Sequence, residues 1–254
     1  MNVRKILNAA LRPAGYELAR RKENPRFPQD FTEEEQKICG AVRPFTMARE
    51  VDKIYPVIGA VRHVVEGNVP GAFVECGVWR GGMTMAAALT LKSLGRADRD
   101  LYLFDTFAGM VEPTEHDKDV RGNLAEVRFK ESPREGDVVD WCYASLPEVK
   151  KNMESTGYPA SRMHFVQGKV EETIPQTIPE KIAVLRLDTD WYESSLHEMV
   201  HLYPRLQRGG VLILDDYGFW QGSRKATDEY FAKHKIAMHL VRVDSACRVG
   251  VKID

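Results

Sequence analysis

The chain has 254 residues, of which 43% are hydrophobic and 29% are charged, as in ordinary globular proteins. Its formal net charge of -1 provides no basic field for nucleic acid, and its apolar runs are too short to cross a bilayer. Residues 1–20 lack the apolar core of a signal peptide, and the 4 cysteines show no metal-binding or redox spacing. These features favour a cytoplasmic enzyme that acts on a small molecule, without a nucleic-acid or membrane partner.

The first part of the chain carries helical patterns but no chemical motif. Residues 3–20 place apolar side chains at helical spacing, and the proline-containing residues 24–30 resemble a linker. Thr32, with Glu35 three residues later, has the pattern of a helix start. A longer helix is predicted over residues 48–66, before a Gly-Asn and Pro-Gly turn signal.

From residue 72 onward, short apolar runs alternate with helical patterns. The predicted strands cover residues 72–76, 101–105, 163–167, 182–188, 210–215, 239–243 and 247–253, and the helices between them include 82–94, 192–206 and 224–234. This alternation predicts an α/β fold with a mostly parallel, seven-stranded sheet that has helices on both faces. We therefore divide the chain into a helical appendage, residues 1–45, acting as a lid or dimer arm, and an enzymatic domain, residues 46–254.

Acidic residues end several of these strands. Glu75, Asp105, Asp188 and Asp215 each occupy such a position. In open parallel sheets, ligands bind beyond the carboxyl ends of the strands, so these side chains are the first candidates for a site. The polar segment 106–140 is long for a loop, and we expect either a functional lid or a partly helical insertion without catalytic consequence.

The turn after the first strand is rich in glycine. Gly77 permits a tight turn, and Gly81 and Gly82 would allow a ligand to approach the backbone at the helix start. Because Trp79 stands where a dinucleotide fingerprint has its second glycine, a nucleoside without phosphates fits better, and S-adenosylmethionine is such a ligand. Asp105 would then accept hydrogen bonds from the ribose. The alternatives are a plain strand–helix turn for the glycines and helix capping for Asp105.

Four aspartates cluster after two successive strands. Asp188, Asp215 and Asp216 converge if those strands are neighbours, and three such carboxylates need a cation between them. Oxygen ligands alone favour Mg²⁺, with Mn²⁺ or Ca²⁺ possible, and disfavour zinc. Asp190 could accept a proton as a general base, or it could only orient the ligands. The alternative for the other acids is helix capping beyond each strand.

Residues 197–201 match the H-E-x-x-H pattern of zinc peptidases. On the predicted helix, His197 and His201 project away from the apolar stripe that contains Met199 and Tyr203. A zinc peptidase needs both histidines in a cleft, so we interpret the match as a solvent-facing coincidence.

Five separated strings of residues resemble one known family. They are FVECGVWRGG (73–82), LFDTFAGM (103–110), LRLDTDWYESS (185–195), LYPRL (202–206) and GGVLILDDYG (209–218). Together they resemble the macrocin O-methyltransferases, metal-dependent class I S-adenosylmethionine enzymes that methylate sugar hydroxyls on antibiotics and related natural products. The resemblance extends from about residue 43 to residue 231 and implies a Rossmann-like methyltransferase fold.

The resemblance implies a role for each matching residue. Asp188, Asp215 and Asp216 would hold Mg²⁺, and Asp190 would be the general base. The implied donor-binding residues are Thr46, Met47, Glu75, Gly77, Gly81, Gly82, Asp105 and Gly168. This chain has Thr189 and Ser195 where many members have Gly and Thr, and Thr189 and Trp191 could alter the acceptor pocket.

Several functions remain open at this point. A sugar acceptor on a natural product, nucleotide sugar or glycan is one reading, and a catechol or other phenolic diol is another. Trp79, Trp191, Trp220 and Tyr217 could stack on either acceptor or belong to the core. A non-catalytic S-adenosylmethionine-binding protein is the third reading, disfavoured by the intact acidic set. By family analogy we also expect a homodimer or higher homo-oligomer.

Overall fold

The structure is a computed structural model, and it describes residues 13, 27–48 and 50–253. The chain divides into two compact units, Met1–Thr32 and Glu33–Asp254. In the first unit, the ring centroids of Phe27 and Phe31 lie 5.8 Å apart. The helix predicted over residues 3–20 lies outside the described residues, except for Pro13.

The second unit alternates helices and strands as predicted. Its α-helices are α1 (Glu33–Val42), α2 (Val51–Glu66), α3 (Gly82–Ser93), α4 (Ala125–Glu131), α5 (Leu146–Glu154), α6 (Val170–Thr173), α7 (Tyr192–His201) and α8 (Gln221–His234). Its strands are β1 (Ala72–Cys76), β2 (Leu101–Asp105), β3 (Arg134–Glu135), β4 (Val138–Val139), β5 (Met163–Gln167), β6 (Ile182–Leu187), β7 (Leu206–Leu214), β8 (Val241–Arg242) and β9 (Arg248–Val251). No helix in the described part of the chain combines the length and apolarity needed to span a bilayer.

Seven strands form one sheet in the order β5-β2-β1-β6-β7-β9-β8. The first five of these are parallel, and β9 runs antiparallel to β7 and β8. Every residue of β1 and β6 is buried, which explains their nearly continuous apolar sequence. The predicted mostly parallel sheet of seven strands is confirmed.

Several predicted element boundaries differ from the structure. The helix predicted over residues 192–206 ends at His201 and is followed by a 3₁₀ turn, Tyr203–Arg205. Pro204 in this turn has no N–H group with which to continue an α-helix. Strand β7 therefore begins at Leu206, earlier than predicted. Helix α2 begins at Val51 rather than at residue 48.

The long segment 106–140 is an ordered insertion that contains α4 and the β3–β4 hairpin. The buried carboxylate of Asp117 accepts a hydrogen bond from the backbone N–H of Tyr192, at 2.8 Å. The indole N–H of Trp191 donates to the carbonyl of Val111, at 3.0 Å. These bonds attach the insertion to the start of α7, directly after Asp190.

The register of the sheet aligns the carboxyl ends of three strands. Cys76 at the end of β1 is paired with Leu187 on β6, and Leu187 is paired with Leu214 on β7. The alignment continues past the strands, because the N–H of Asp188 donates to the carbonyl of Cys76, at 2.9 Å. The N–H of Asp215 donates in turn to the carbonyl of Leu187, at 3.0 Å.

No residue with a side chain can replace Gly77 at the end of β1 without strain. Its φ is +79°, and a Cβ atom there would lie 2.0 Å from the carbonyl oxygen of Asp188. The close approach that this glycine permits is therefore to the neighbouring strand end, which brings β1 and Asp188 together.

Gly77→Ala is expected to lower the free energy of unfolding by about 3–5 kcal/mol, since it adds a steric conflict to left-handed backbone strain. Gly122→Ala is the matched control: φ is +86°, with no other atom within 4 Å of the added Cβ. We expect it to cost only about 1–2 kcal/mol. Urea unfolding of both variants measures the difference, and equal losses would contradict the assigned contact.

Candidate active site

Three aspartates meet beyond the ends of β6 and β7. Asp188, Asp215 and Asp216 each offer a carboxylate oxygen, and these oxygens lie within 4.8 Å of one another. All three residues are partly buried. The structure therefore brings together the residues that the sequence predicted as metal ligands.

The electrostatics of this acidic cluster suit a divalent cation. Burial raises the pKa of Asp188 and of Asp216, and the neighbouring aspartates repel a further negative charge. The buried Oδ2 atom of Asp216 has no hydrogen-bond partner among the described residues. An all-oxygen set with an unpartnered buried oxygen fits the coordination that Mg²⁺ prefers.

Arg186 is a site residue that sequence reasoning missed. On β6, it is 3% exposed, and its Nη1 atom donates to Glu75 at 2.6 Å and to Asp188 at 2.7 Å. Its Nη2 atom donates to Asp215 at 2.6 Å. A charged residue inside an otherwise apolar, buried strand was the signal that could have found it.

Glu75 lies beside the cluster, but its carboxylate is engaged by protein groups. The side chain is 1% exposed and accepts hydrogen bonds from Arg186 and from the hydroxyl of Thr84. Burial raises its pKa. Direct contact between Glu75 and a methyl donor remains a prediction.

Asp190 lies in a strained turn between the cluster and α7. Its φ is +69°, in the left-handed region, where only glycine avoids steric strain. Burial raises its pKa to about 7, and the charges of Asp188 and Asp215 act in the same direction. An acid that titrates near neutrality is suited to act as a general base.

A cavity adjoins the cluster on the side of β1 and β2. We call it the glycine cavity because Gly77, Gly109 and Gly168 line it, together with Asp105 and Asp190. The N–H of Gly168 donates to the carbonyl of Asp105, at 3.0 Å. The structure thus gathers four of the predicted donor-binding residues, Met47, Gly77, Asp105 and Gly168, around one space.

Asp105 also holds the loops of this cavity. Its carboxylate accepts hydrogen bonds from the backbone N–H groups of Val78 (2.7 Å), Trp79 (3.0 Å) and Phe107 (2.7 Å). Burial nevertheless raises its pKa. Helix capping, the alternative considered for Asp105, is not what its carboxylate does, because α3 has Gly81 at its N-cap and no side-chain cap hydrogen bond. Ribose binding remains a prediction.

A second space, which we call the acidic cleft, is lined by the four aspartates 188, 190, 215 and 216. Thr46, Met47, Glu75 and Gly82 also line it, whereas Met47, Trp79 and Asp190 line both this cleft and the glycine cavity. The two spaces therefore meet at the predicted base.

Protein atoms occupy the space that a side chain on Gly82 would need, and they adjoin the corresponding space at Gly81. A Cβ atom on Gly82 would lie 2.5 Å from the carbonyl oxygen of Phe45, and one on Gly81 would lie 3.4 Å from Val149. The absence of a side chain at Gly82 admits the segment that contains Thr46. Contact of either glycine with a donor remains a prediction.

The aromatic residues divide between core and cleft. Trp191 is buried, and its ring centroid lies 5.6 Å from that of Trp141 and 4.9 Å from that of Trp220. Trp141 and Trp220 line the acidic cleft, as does Trp79. Tyr217 lines neither space, and its hydroxyl donates to Asp228 at 2.6 Å.

The H-E-x-x-H motif does not form a metal site in the described residues. His197 contacts the carbonyl of Ile174 at 2.8 Å, and its ring centroid lies 4.4 Å from that of His201. His197 and His201, predicted on a solvent-facing side, are partly exposed, whereas Glu198 between them is buried and accepts a hydrogen bond from Thr189, at 3.0 Å. This hydrogen bond gives the buried carboxylate a polar partner at Oε1, while Oε2 has none among the described residues.

A seven-stranded sheet with an antiparallel β9, and a cavity beyond its parallel strands, defines a class I methyltransferase. The solved structure of the O-methyltransferase NovP shares this fold, with a TM-score of 0.71 and 28% identity over 83% of each chain.

The sequence model of the family described as Macrocin-O-methyltransferase (TylF) matches residues 42–249. A protein of Micromonospora griseorubida named mycinamicin III 3''-O-methyltransferase is 32% identical over 211 residues, which cover 78% of this chain and 80% of that protein. A Streptomyces olivaceus protein, 8-demethyl-8-(2,3-dimethoxy-alpha-L-rhamnosyl)-tetracenomycin-C 4'-O-methyltransferase, is 32% identical over 72% of this chain and 67% of its own length. The chain belongs to the macrocin O-methyltransferase family, and it is an S-adenosylmethionine-dependent O-methyltransferase.

Proposed function

We propose that the enzyme methylates a hydroxyl of a sugar that carries a vicinal diol, on a natural product, nucleotide sugar or glycan, with Mg²⁺ held by Asp188, Asp215 and Asp216. The observation that carries this proposal is the cluster of carboxylate oxygens within 4.8 Å of one another, beside the cavity that Asp190 shares. The names of the two relatives designate O-methylation of mycinamicin III and of a rhamnosyl tetracenomycin C compound, which supports this proposal.

Different residues would bind the donor, hold the metal and accept the proton. Gly77, Asp105 and Gly168 would hold the donor in the glycine cavity, with Thr46 and Met47 at its boundary with the cleft. When bound, Mg²⁺ would lower the pKa of an acceptor hydroxyl. Asp190 would take the proton from that hydroxyl, and the oxygen would then form a bond to the methyl carbon as the carbon–sulfur bond breaks. Alignment of these atoms supplies much of the remaining rate enhancement.

A phenolic diol is the second candidate acceptor, because Trp141 and Trp220 give the acidic cleft aromatic walls. Transfer of a labelled methyl group to a panel of glycosides and catechols, with and without EDTA, separates the two. We expect glycosides with vicinal hydroxyls to accept the label only without EDTA. Methylation confined to catechols would overturn the sugar assignment, and transfer that EDTA leaves unchanged would overturn the metal assignment.

We also propose that residues 46–254 form the methyltransferase domain, that residues 1–45 are an appendage, and that the enzyme is a homo-oligomer. Light scattering on the full chain and on a chain that lacks residues 1–32, which leaves the second compact unit whole, tests the role of this appendage as a dimer arm. A monomeric full chain would contradict it.

The raised pKa values predict how stability depends on pH in the absence of metal. Asp190, with a pKa near 7, binds a proton in the folded state at pH values where the unfolded state has lost it. The free energy of unfolding in EDTA should therefore fall as pH rises from about 4 to 7, by at most about 1.4 kcal/mol per pH unit for this group. Urea unfolding at several pH values measures the slope, and Asp190→Asn should reduce it. A slope that the variant leaves unchanged would contradict the assignment.

A further inference from the structure

Arg186 is a buried cation that joins three neighbouring strands at the site. Its guanidinium contacts Glu75 on β1, Asp188 after β6 and Asp215 after β7, at 2.6–2.7 Å. A buried guanidinium is costly unless its charge is paired and its N–H groups are bonded, and these contacts provide both. The planar fork of arginine is suited to hold several carboxylates in a fixed geometry.

The guanidinium leaves room for a second cation. It engages Oδ2 of Asp188 and Oδ1 of Asp215, so the other oxygen of each carboxylate can face a different partner. Oδ2 of Asp216 has no hydrogen-bond partner among the described residues. Arg186 and a divalent ion can therefore share the carboxylates instead of competing for them.

We propose that Arg186, anchored by Glu75, is a positioning residue that holds Asp188 and Asp215 in ligand geometry before the metal binds. The inference rests on the metal site of the proposed function and goes beyond it, because it assigns Arg186 a role and gives Glu75 one other than donor binding.

Glu75 can act on the metal only through Arg186. It does not belong to the group of carboxylates whose oxygens could share an ion. Its two oxygens are occupied by Arg186 and by the hydroxyl of Thr84 on α3. Glu75 thus fixes the far side of the guanidinium to the core of the protein.

Arg186 also offsets part of the negative charge of the site. Glu75, Asp188, Asp190, Asp215 and Asp216 would carry five negative charges when all are ionised, and the guanidinium is a buried positive charge that contacts three of these acids. A divalent cation would offset two more charges.

The test is calorimetric titration of Mg²⁺ into the metal-stripped full-length chain, with S-adenosylhomocysteine titrated separately in EDTA. Glu75→Gln and Arg186→Lys are each expected to weaken Mg²⁺ binding by about 10–100-fold, as is typical when a residue behind a metal ligand is changed. S-adenosylhomocysteine affinity in EDTA should stay within about twofold of wild type. The double variant should lose less than the product of the two single losses.

Glu148→Gln is the matched control. Its carboxylate pairs with Arg80 at 2.6 Å, the same length as the Glu75–Arg186 contact, and it does not line the acidic cleft. The variant removes the same charge and should leave Mg²⁺ binding unchanged. Should Glu75→Gln fail to fold, Thr84→Val, which removes the second anchor of Glu75, is measured in its place and should also weaken Mg²⁺ binding.

The outcomes separate this inference from the proposed function. Wild-type binding of Mg²⁺ with equally tight binding by Glu75→Gln and Arg186→Lys would overturn the inference and leave the metal site standing. Loss of S-adenosylhomocysteine affinity in Glu75→Gln, with Mg²⁺ affinity intact, would make Glu75 a donor ligand and overturn it too. No Mg²⁺ binding by the wild-type chain would overturn both.

Discussion

Asp190→Asn is expected to lower kcat by about 100-fold to 10,000-fold, the usual contribution of general-base catalysis. Asparagine tolerates the left-handed conformation that Asp190 adopts, so the turn should keep its shape. Its amide cannot accept the proton of the acceptor hydroxyl. Steady-state methyl transfer from a labelled donor, at saturating Mg²⁺, measures the loss.

Donor binding provides the control for this variant. S-adenosylhomocysteine should bind Asp190→Asn within about twofold of wild type, since Asp190 only borders the glycine cavity. Asp119→Asn changes a half-exposed residue of the insertion that lines neither the glycine cavity nor the acidic cleft, and it should retain full activity. Near-wild-type turnover by Asp190→Asn with metal present would assign the base to another residue.

Asp216→Asn is expected to lower the activity of the enzyme while it raises the stability of the fold. The variant removes one of the three proposed ligands, so methyl transfer should fall by about 100-fold or more. Because burial and like charge raise the pKa of Asp216, removal of this acid should increase the free energy of unfolding in EDTA.

The rate of methyl transfer and the free energy of unfolding in urea are measured on the same preparation of the variant. A variant that loses stability and activity together would show that Asp216 holds the fold rather than a cation. Asp228→Asn is the matched control, since Asp228 pairs with Arg224 on the exposed side of α8 and should change neither quantity appreciably.

The position of the acidic cluster could be predicted because it depends on strand ends alone. Apolar runs located β6 and β7 along the chain, and parallel neighbours necessarily present their carboxyl ends at one edge. The same reasoning placed Gly77, Asp105 and Gly168 around one cavity. Each of these predictions required only the order and direction of the strands.

Contacts between residues that lie far apart in the sequence could not be predicted in this way. Nothing in the local sequence specifies that Gly82 meets Phe45 or that Asp105 caps the loop at Val78. The guanidinium of Arg186 reaches Glu75 across 111 positions of sequence, and only the register of β1 and β6 makes that contact possible. Burial of Glu198 likewise depends on Thr189, which lies in a different element.

Backbone strain at the site also escaped prediction. Trp79, Phe107, Cys142 and Asp190 have positive φ, although none of them is glycine, and three of the four line both the glycine cavity and the acidic cleft. Such conformations persist only where the surrounding structure imposes them, so residue type gives no warning.

The central claim is that Asp188, Asp215 and Asp216 share one divalent cation beside the bound donor. Calorimetric titration of Mg²⁺ into chelator-treated enzyme, with S-adenosylhomocysteine present and methyl transfer assayed on the same sample, tests it most directly. We predict one binding site per chain, no activity before Mg²⁺ is added, and recovery of activity as that site fills. Full activity in the chelator-treated enzyme, or the absence of any Mg²⁺ binding, would contradict the claim.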